Sequence, residues 1–378
     1  MARFDFAIIG GGVSGTTAAE ALRERDAHAS IAIFEEEPYP LYSRVLIPKY
    51  LKGDILRDGL FLRKIENYAE KNIAFYPGAK VIRIDSDKHE FHTAGEIFSY
   101  KKLLISAGGY PRPWMPDIQE GAGRPLRMHT LDDADAIKKA MSEAPCREAL
   151  VLGEGLIAME FIEIFLKNGF SAHVTARGDY FGEKKLGKTG GAFFEENLKR
   201  HGVLVHKNAE PSSINACLVG AGIGIERNLS VFGGLEANVG ILTDEFLASS
   251  NPDIYAAGDI AEFFDVIFKK RRVAGNWTTA FLQGQAAARN MLGERFAFKN
   301  AATYNISNLG LRLSFLGDPE EYDDALESSG ETNFLRLLFR GGRLSGAVLI
   351  NRVQDKQLIA QLIESGADKN EIQQKFSF

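Results

Sequence analysis

The stretch Phe4-Asp5-Phe6-Ala7-Ile8-Ile9-Gly10-Gly11-Gly12-Val13-Ser14-Gly15 decides the fold. An apolar run at residues 4–9 ends in glycines, and a helical pattern follows through residues 18–23. That order predicts strand, tight turn, helix. Gly10 allows the turn, Gly12 lets a pyrophosphate approach the backbone, and Gly15 lets helix and strand pack closely. The helix N-terminus, through Val13 and Ser14, offers free N–H groups and a favourable dipole to phosphates. A second apolar run, residues 31–34, ends at Glu35, 20 residues after Gly15. An acid there accepts hydrogen bonds from an adenosine ribose. Together these features imply a βαβ unit on a parallel sheet that binds a dinucleotide. The alternative is a glycine-rich turn in a fold that has lost its ligand.

The pattern recurs. Residues 149–152 read as a strand, Gly153-Glu154-Gly155-Leu156-Ile157-Ala158 as the turn, and a helix runs to about residue 165, with a strand at 171–175. Alanine at 158 replaces the third glycine and is small enough to be tolerated. The ribose acid is missing. Position 176 is alanine, and Arg177 follows. Arginine there suits a 2′-phosphate and favours NADPH over NADH; the other reading is a solvated side chain. A helix at 191–200 and strands at 203–206 and 216–222 continue this second unit. Residues 241 onward, with 254–257 and a helix at 280–291, return to the first. Residues 102–106 form another apolar run, closed by Ala107-Gly108-Gly109 and a Pro-rich break at 111–116. The last residues hold a hairpin, 334–339 and 343–350, joined by Gly341-Gly342, then a helix at 355–364.

Composition bounds the function. Apolar content of 45% and charged content of 25% are ordinary for a globular protein. A net charge of −5 argues against nucleic acid as a partner. No run approaches the roughly 20 apolar residues of a membrane span. A strand begins almost at once and leaves no room for a cleaved signal, so a cytoplasmic, reducing setting is expected. The two cysteines, Cys146 and Cys217, form no CxxC pair, and Cys217, in the apolar run ACLVGAG, is expected to be a buried strand residue. The seven histidines show no metal-ligand spacing, so no metal is expected.

The run Ser250-Asn251-Pro252-Asp253-Ile254-Tyr255-Ala256-Ala257-Gly258-Asp259 adds a third signal. With the two fingerprints in this order, the chain resembles the FAD-dependent pyridine nucleotide oxidoreductases over residues 4–298. The resemblance implies that Asp259 bonds the ribityl chain of FAD and that Gly258 lies near its pyrophosphate. Leu103-Leu104-Ile105-Ser106-Ala107-Gly108 stands where that family has an apolar strand ending in Ala-Thr-Gly, which implicates Ala107 and Gly108. No cysteine occurs in Gly15-Thr16-Thr17-Ala18-Ala19-Glu20 or at residues 40–49, so the thiol-based branches are excluded. The stretch 40–49 instead resembles the rubredoxin and ferredoxin reductases and the flavin domains of nitrite reductases. By that resemblance Arg44 contacts the FAD pyrophosphate, and Lys49 lies beside the flavin, paired with Glu160. The alternative leaves Lys49 and Glu160 as unrelated surface residues. Glu36 and Val81 are further implied around FAD. Trp277 is implied too, at the start of a helix that carries Gln283; otherwise it is core packing. Gly153, Gly155, Leu156, Ile157, Glu160, Arg177 and Gly222 are implied around NAD(P). The basic run Lys269-Lys270-Arg271-Arg272 docks an acidic carrier or is a solvated loop.

The expected fold class is α/β, with two Rossmann-like three-layer dinucleotide-binding domains of glutathione-reductase type and a small α+β C-terminal domain. Their expected bounds are 1–112 with 238–298 for FAD, 113–237 for NAD(P), and 299–378 for the last. Only nine residues separate the strands 203–206 and 216–222, where most of the family has a β-meander, so the second domain is trimmed. Arg227 stands where the family has proline. The expected function is a flavoprotein reductase, monomer or homodimer, passing electrons from NAD(P)H through FAD to a small redox protein such as rubredoxin or ferredoxin. Two alternatives are an NAD(P)H oxidase or small-molecule reductase without a carrier, and an FAD-binding subunit or sensor with a non-functional NAD(P) domain.

Overall fold

Phe6 and Ile8 bury on one face of the strand Ala2–Ile9, and Ala7 and Ile9 on the other. The same alternation runs through Ile31–Phe34 and the end of Ile97–Ile105. Strands apolar on both faces belong inside a parallel sheet covered on each side. The computed structural model describes residues 1–113 and 124–376 of the chain. Residues 114–116 of the Pro-rich break lie outside the described residues. The chain divides into two compact units.

The first unit comprises Met1–Ser43, Asp58–Tyr110 and Glu226–Ala302. Its seven-stranded sheet runs in the order Ile73–Tyr76, Ile31–Phe34, Ala2–Ile9, Ile97–Ile105, Glu90–Thr93, Val81–Asp85, with Ile254–Ala256 also on Ile97–Ile105. The strands from Ile73–Tyr76 to Ile97–Ile105, and Ile254–Ala256, are parallel; Val81–Asp85 and Glu90–Thr93 form an antiparallel meander. The helices Val13–Arg25 and Trp277–Met291 pack against each other on one face. Ala18, Ala19, Ala286 and Ala287 keep that contact close.

The second unit comprises Arg44–Arg57, Pro111–Ile225 and Thr303–Phe378. Its parallel sheet runs Leu204–Lys207, Ser171–Ala176, Glu148–Leu152, Leu218–Ala221. The helix Leu156–Lys167 covers it, and Gly220 makes room for the Phe161 ring, since a Cβ there would lie 2.7 Å from it. The helix Glu183–Arg200 starts earlier than expected and breaks at Gly187 (φ 76°), where the Arg336 guanidinium occupies the space of a side chain. A five-stranded antiparallel sheet follows, in the order Thr303–Asn308, Leu311–Gly317, Arg343–Ile350, Phe334–Arg340, Asp324–Ser329. The expected hairpin is its inner pair, and the helix Lys356–Ser365 packs on it through Ile359, Leu362 and Ile363.

Two features were not read from the sequence. Residues 44–57 cluster with the second unit rather than the first, because the helix Ile47–Leu51 packs on Leu131–Glu143 and Leu156–Lys167; residues 303–378 cluster there too. Cys146 and Cys217 are joined in a disulfide, with Cα atoms 6.0 Å apart. Each precedes one of two neighbouring parallel strands, Glu148–Leu152 and Leu218–Ala221, so the sheet brings together residues that sequence keeps apart. Among the described residues no helix is long and apolar enough to cross a membrane, and no cluster of His, Cys, Asp and Glu could hold a metal ion.

Candidate functional site

In the first unit the glycine turn closes on the end of the strand Ile97–Ile105. Gly10 has φ 97°, and a Cβ there would lie 2.5 Å from Ser106 O. A Cβ on Gly15 would overlap Gly10 O and lie 2.6 Å from Ser106 Oγ. Ser106 Oγ donates to Gly10 O at 2.8 Å. Ser106 therefore shapes the turn, a role not predicted for it. Above the turn, Gly12 caps the helix Val13–Arg25 with no side chain, and the space where its Cβ would stand is open. The first N–H groups of that helix have no capping side chain.

The distant Gly258 meets this turn directly. A Cβ on Gly258 would lie 3.4 Å from Ser14 Cβ, and a Cβ on Gly284 would overlap Ser14 O. Gly258 N–H donates to Gln283 Oε1 at 2.8 Å. Ser14 Oγ and Gln283 Nε2 are buried without hydrogen-bond partners among the described residues. Two orphaned polar groups beside an uncapped helix N-terminus form a cradle for a phosphate. Glu35 is oriented by accepting from Gly11 N–H and from Glu37 N–H, the latter at 3.0 Å. Glu36 holds Lys80 at 2.6 Å and accepts from Tyr110. Val81 is buried beside a register shift in its strand. Gly108 has φ 64° with open space around its Cβ position, and Ala107 beside it is exposed. Asp259 is half-buried in the turn Gly258–Ile260, where Arg227 donates to its backbone oxygen. Arg227 thus ties its own segment to the turn Gly258–Ile260. Trp277 is half-buried at the start of its helix and stands outside the core. These residues fit FAD: an open turn for the pyrophosphate, an oriented acid for the ribose, and orphaned donors between the two motifs.

The second unit repeats the turn with one exchange. Gly153 has φ 100°, and its Cβ would overlap Gly222 O, as that of Gly10 crowds Ser106 O. Gly222 is therefore the counterpart of Ser106. Where the first unit sets Gly15 against a serine, the second sets Ala158 against a glycine, and a Cβ at 222 would lie 2.4 Å from the Ala158 backbone nitrogen. Leu156 and Ile157 open the helix Leu156–Lys167, whose cap, Gly155, has no capping side chain. Arg177 is exposed. Its N–H donates to Glu154 Oε1 at 2.7 Å.

The expected Lys49–Glu160 pair is not formed. On the short helix Ile47–Leu51, residues Ile47, Pro48, Tyr50 and Leu51 are buried, so Lys49 projects outward and has no ion-pair partner among the described residues. Lys52, at the end of that helix, pairs instead with Glu163 at 2.6 Å. Glu163 is also held by Leu309 N–H at 3.1 Å. Burial pushes the Glu160 carboxyl up to about 7; Lys52 draws it down and Glu163 pushes it further up. Spacing could have found Lys52 and Glu163, since each lies three residues beyond a residue already singled out. Arg44 donates to His129 O at 2.6 Å within the second unit.

Two glycine-turn cradles, one shaped for FAD, define a protein of the two-dinucleotide flavoprotein class. The sequence matches the pyridine nucleotide-disulphide oxidoreductase family over residues 4–217 and 210–284, and the chain belongs to that family. It is 26% identical to a nitrite reductase [NAD(P)H] of Bacillus subtilis, over 98% of this chain but 48% of that protein, so the chain spans about half its relative's length. It is 24% identical to an NADH-rubredoxin oxidoreductase of Clostridium acetobutylicum, over 95% of this chain and 94% of that one. The fold matches the crystal structure of a covalent putidaredoxin reductase–putidaredoxin complex, with a TM-score of 0.88, 22% identity, and coverage of 98% and 96% of the two chains.

Proposed function

We propose that the chain is an NAD(P)H-dependent flavoprotein reductase that passes electrons to a small redox protein such as rubredoxin or ferredoxin. The observation that carries this reading is the presence of two turn cradles without a cysteine pair at the flavin motif. The one disulfide precedes its two strands, at the sheet edge opposite the turns that follow them. Ligands in such sheets bind at the carboxyl ends of the strands. FAD, when bound, would supply the ring that takes a hydride from the nicotinamide and gives electrons singly to a carrier. Ser14, Gly12 and the helix N-terminus would hold its pyrophosphate, Glu35 its adenosine ribose, and Asp259 its ribityl chain. Glu160, with a carboxyl near neutrality, holds or releases a proton beside the second turn.

Anaerobic mixing of the FAD-loaded protein with NADH and with NADPH tests the reading. Loss of the yellow flavin band within seconds, followed by its return on adding oxidised rubredoxin or ferredoxin, is expected. No bleaching by either nucleotide would overturn the reductase. Return of the band only on adding oxygen would replace the carrier with an oxidase.

A further inference from the structure

The two cradles carry a carboxylate in corresponding places by opposite routes. In the first, Glu35 follows the strand Ile31–Phe34 and accepts from Gly11 N–H, the middle residue of its Gly-x-Gly. In the second, the register fixes the equivalences. Ile9 lies opposite Phe34, and Val151 lies opposite Val174. Ile9 and Leu152 each precede the turn, so Ala176 is the counterpart of Glu35. The middle residue there is Glu154, and its Oε1 accepts from Arg177 N–H at 2.7 Å. A carboxylate again ties the turn to the end of the second strand, but it is borne by the turn. Glu154 is half-buried, and its Oε2 makes no hydrogen bond among the described residues.

Resting on the reductase reading above, we propose that Glu154 takes the ribose-binding role at the second nucleotide site and selects NADH over NADPH. Its pinned carboxylate accepts from the 2′- and 3′-hydroxyls of the adenosine ribose and repels a 2′-phosphate. Arg177 pulls the other way. Its guanidinium is exposed and makes no ion pair among the described residues. Ordering that side chain on a phosphate costs rotamer entropy. A carboxylate already held by a backbone N–H bears no such cost. The preference for NADPH expected from Arg177 alone therefore gives way.

Calorimetric titration of the full, FAD-loaded chain with ADP-ribose and with 2′-phospho-ADP-ribose tests this without turnover. The wild type should bind ADP-ribose at least about tenfold more tightly, the scale of one hydrogen bond to a charged group. Glu154→Gln should bring the two affinities to within about threefold by weakening ADP-ribose and relieving the phosphate, while Arg177→Ala should leave the wild-type order in place. Tighter wild-type binding of the 2′-phosphate ligand, or an unchanged ratio in Glu154→Gln, overturns the inference alone. Binding of neither ligand by the wild type also overturns the inference, and if in addition neither NADH nor NADPH bleaches the flavin, the reductase reading falls with it.

Discussion

Glu160 shows how one residue links stability to pH. Its carboxyl is raised from an ordinary 4.5 to about 7, first by burial and then by Glu163, against the pull of Lys52. The native chain therefore holds a proton that the unfolded chain has already released across that interval. Where the native state binds more protons, stability falls as pH rises. Between these two values the protein should lose stability with rising pH, and Glu160→Gln should flatten that slope. Urea midpoints at a series of pH values check this; parallel curves for the two proteins would show that Glu160 is already charged. Glu163 is a poor control, since removing it would strand Lys52 in a largely buried site.

At the scale of elements, the two turns were legible because each function needs a particular residue. Gly10 and Gly153 take a backbone conformation that side chains avoid, and Glu35 ends its strand where a ribose acid belongs. The parallel strands Ala2–Ile9, Ile31–Phe34 and Glu148–Leu152 were legible for a related reason, being apolar on both faces. The strands Thr303–Asn308 and Asp324–Ser329 were not read. They are the edges of the antiparallel sheet and carry polar residues such as Asn305, Glu327 and Ser328, which break the two-residue period. Lys49 faces outward on its five-residue helix, a direction that spacing along the chain does not specify. The disulfide escaped for another reason: its partners are 71 residues apart and meet only through strand order. Closing a loop of that length stabilises the fold by about 4 kcal/mol in the chain-entropy account. Cys146→Ser and Cys217→Ser should each lower the melting temperature and leave FAD content unchanged, since the bond lies in the second unit, at the strand ends opposite the turn. Equal melting of wild type and variants, with two thiols titrating in the unfolded wild type, would show the bond to be open in solution.

For the whole molecule, the question is whether charge guides a carrier. The chain has a net charge of −5, so an acidic carrier meets overall repulsion rather than attraction. The basic run at residues 269–272 does not reverse this, because the fold employs part of it. Arg272 pairs with the buried Asp265 at 2.9 Å, and Arg271 donates to Thr243 O at 2.5 Å. Arg272 also lies over the Phe268 ring, 4.9 Å from its centre. The Arg272 charge, offset by Asp265, contributes little to steering, and a long-range net repulsion is screened as salt rises. Docking driven by attraction would instead slow steeply with added salt. The expected result is that kcat/KM for an acidic ferredoxin changes by less than about threefold from about 20 to about 300 mM salt. Lys269→Ala, which removes an exposed cation of the run, should leave that dependence as it was. A steep fall with salt that Lys269→Ala abolishes would make the basic run the docking site and restore the solvated residues of this loop to a functional role.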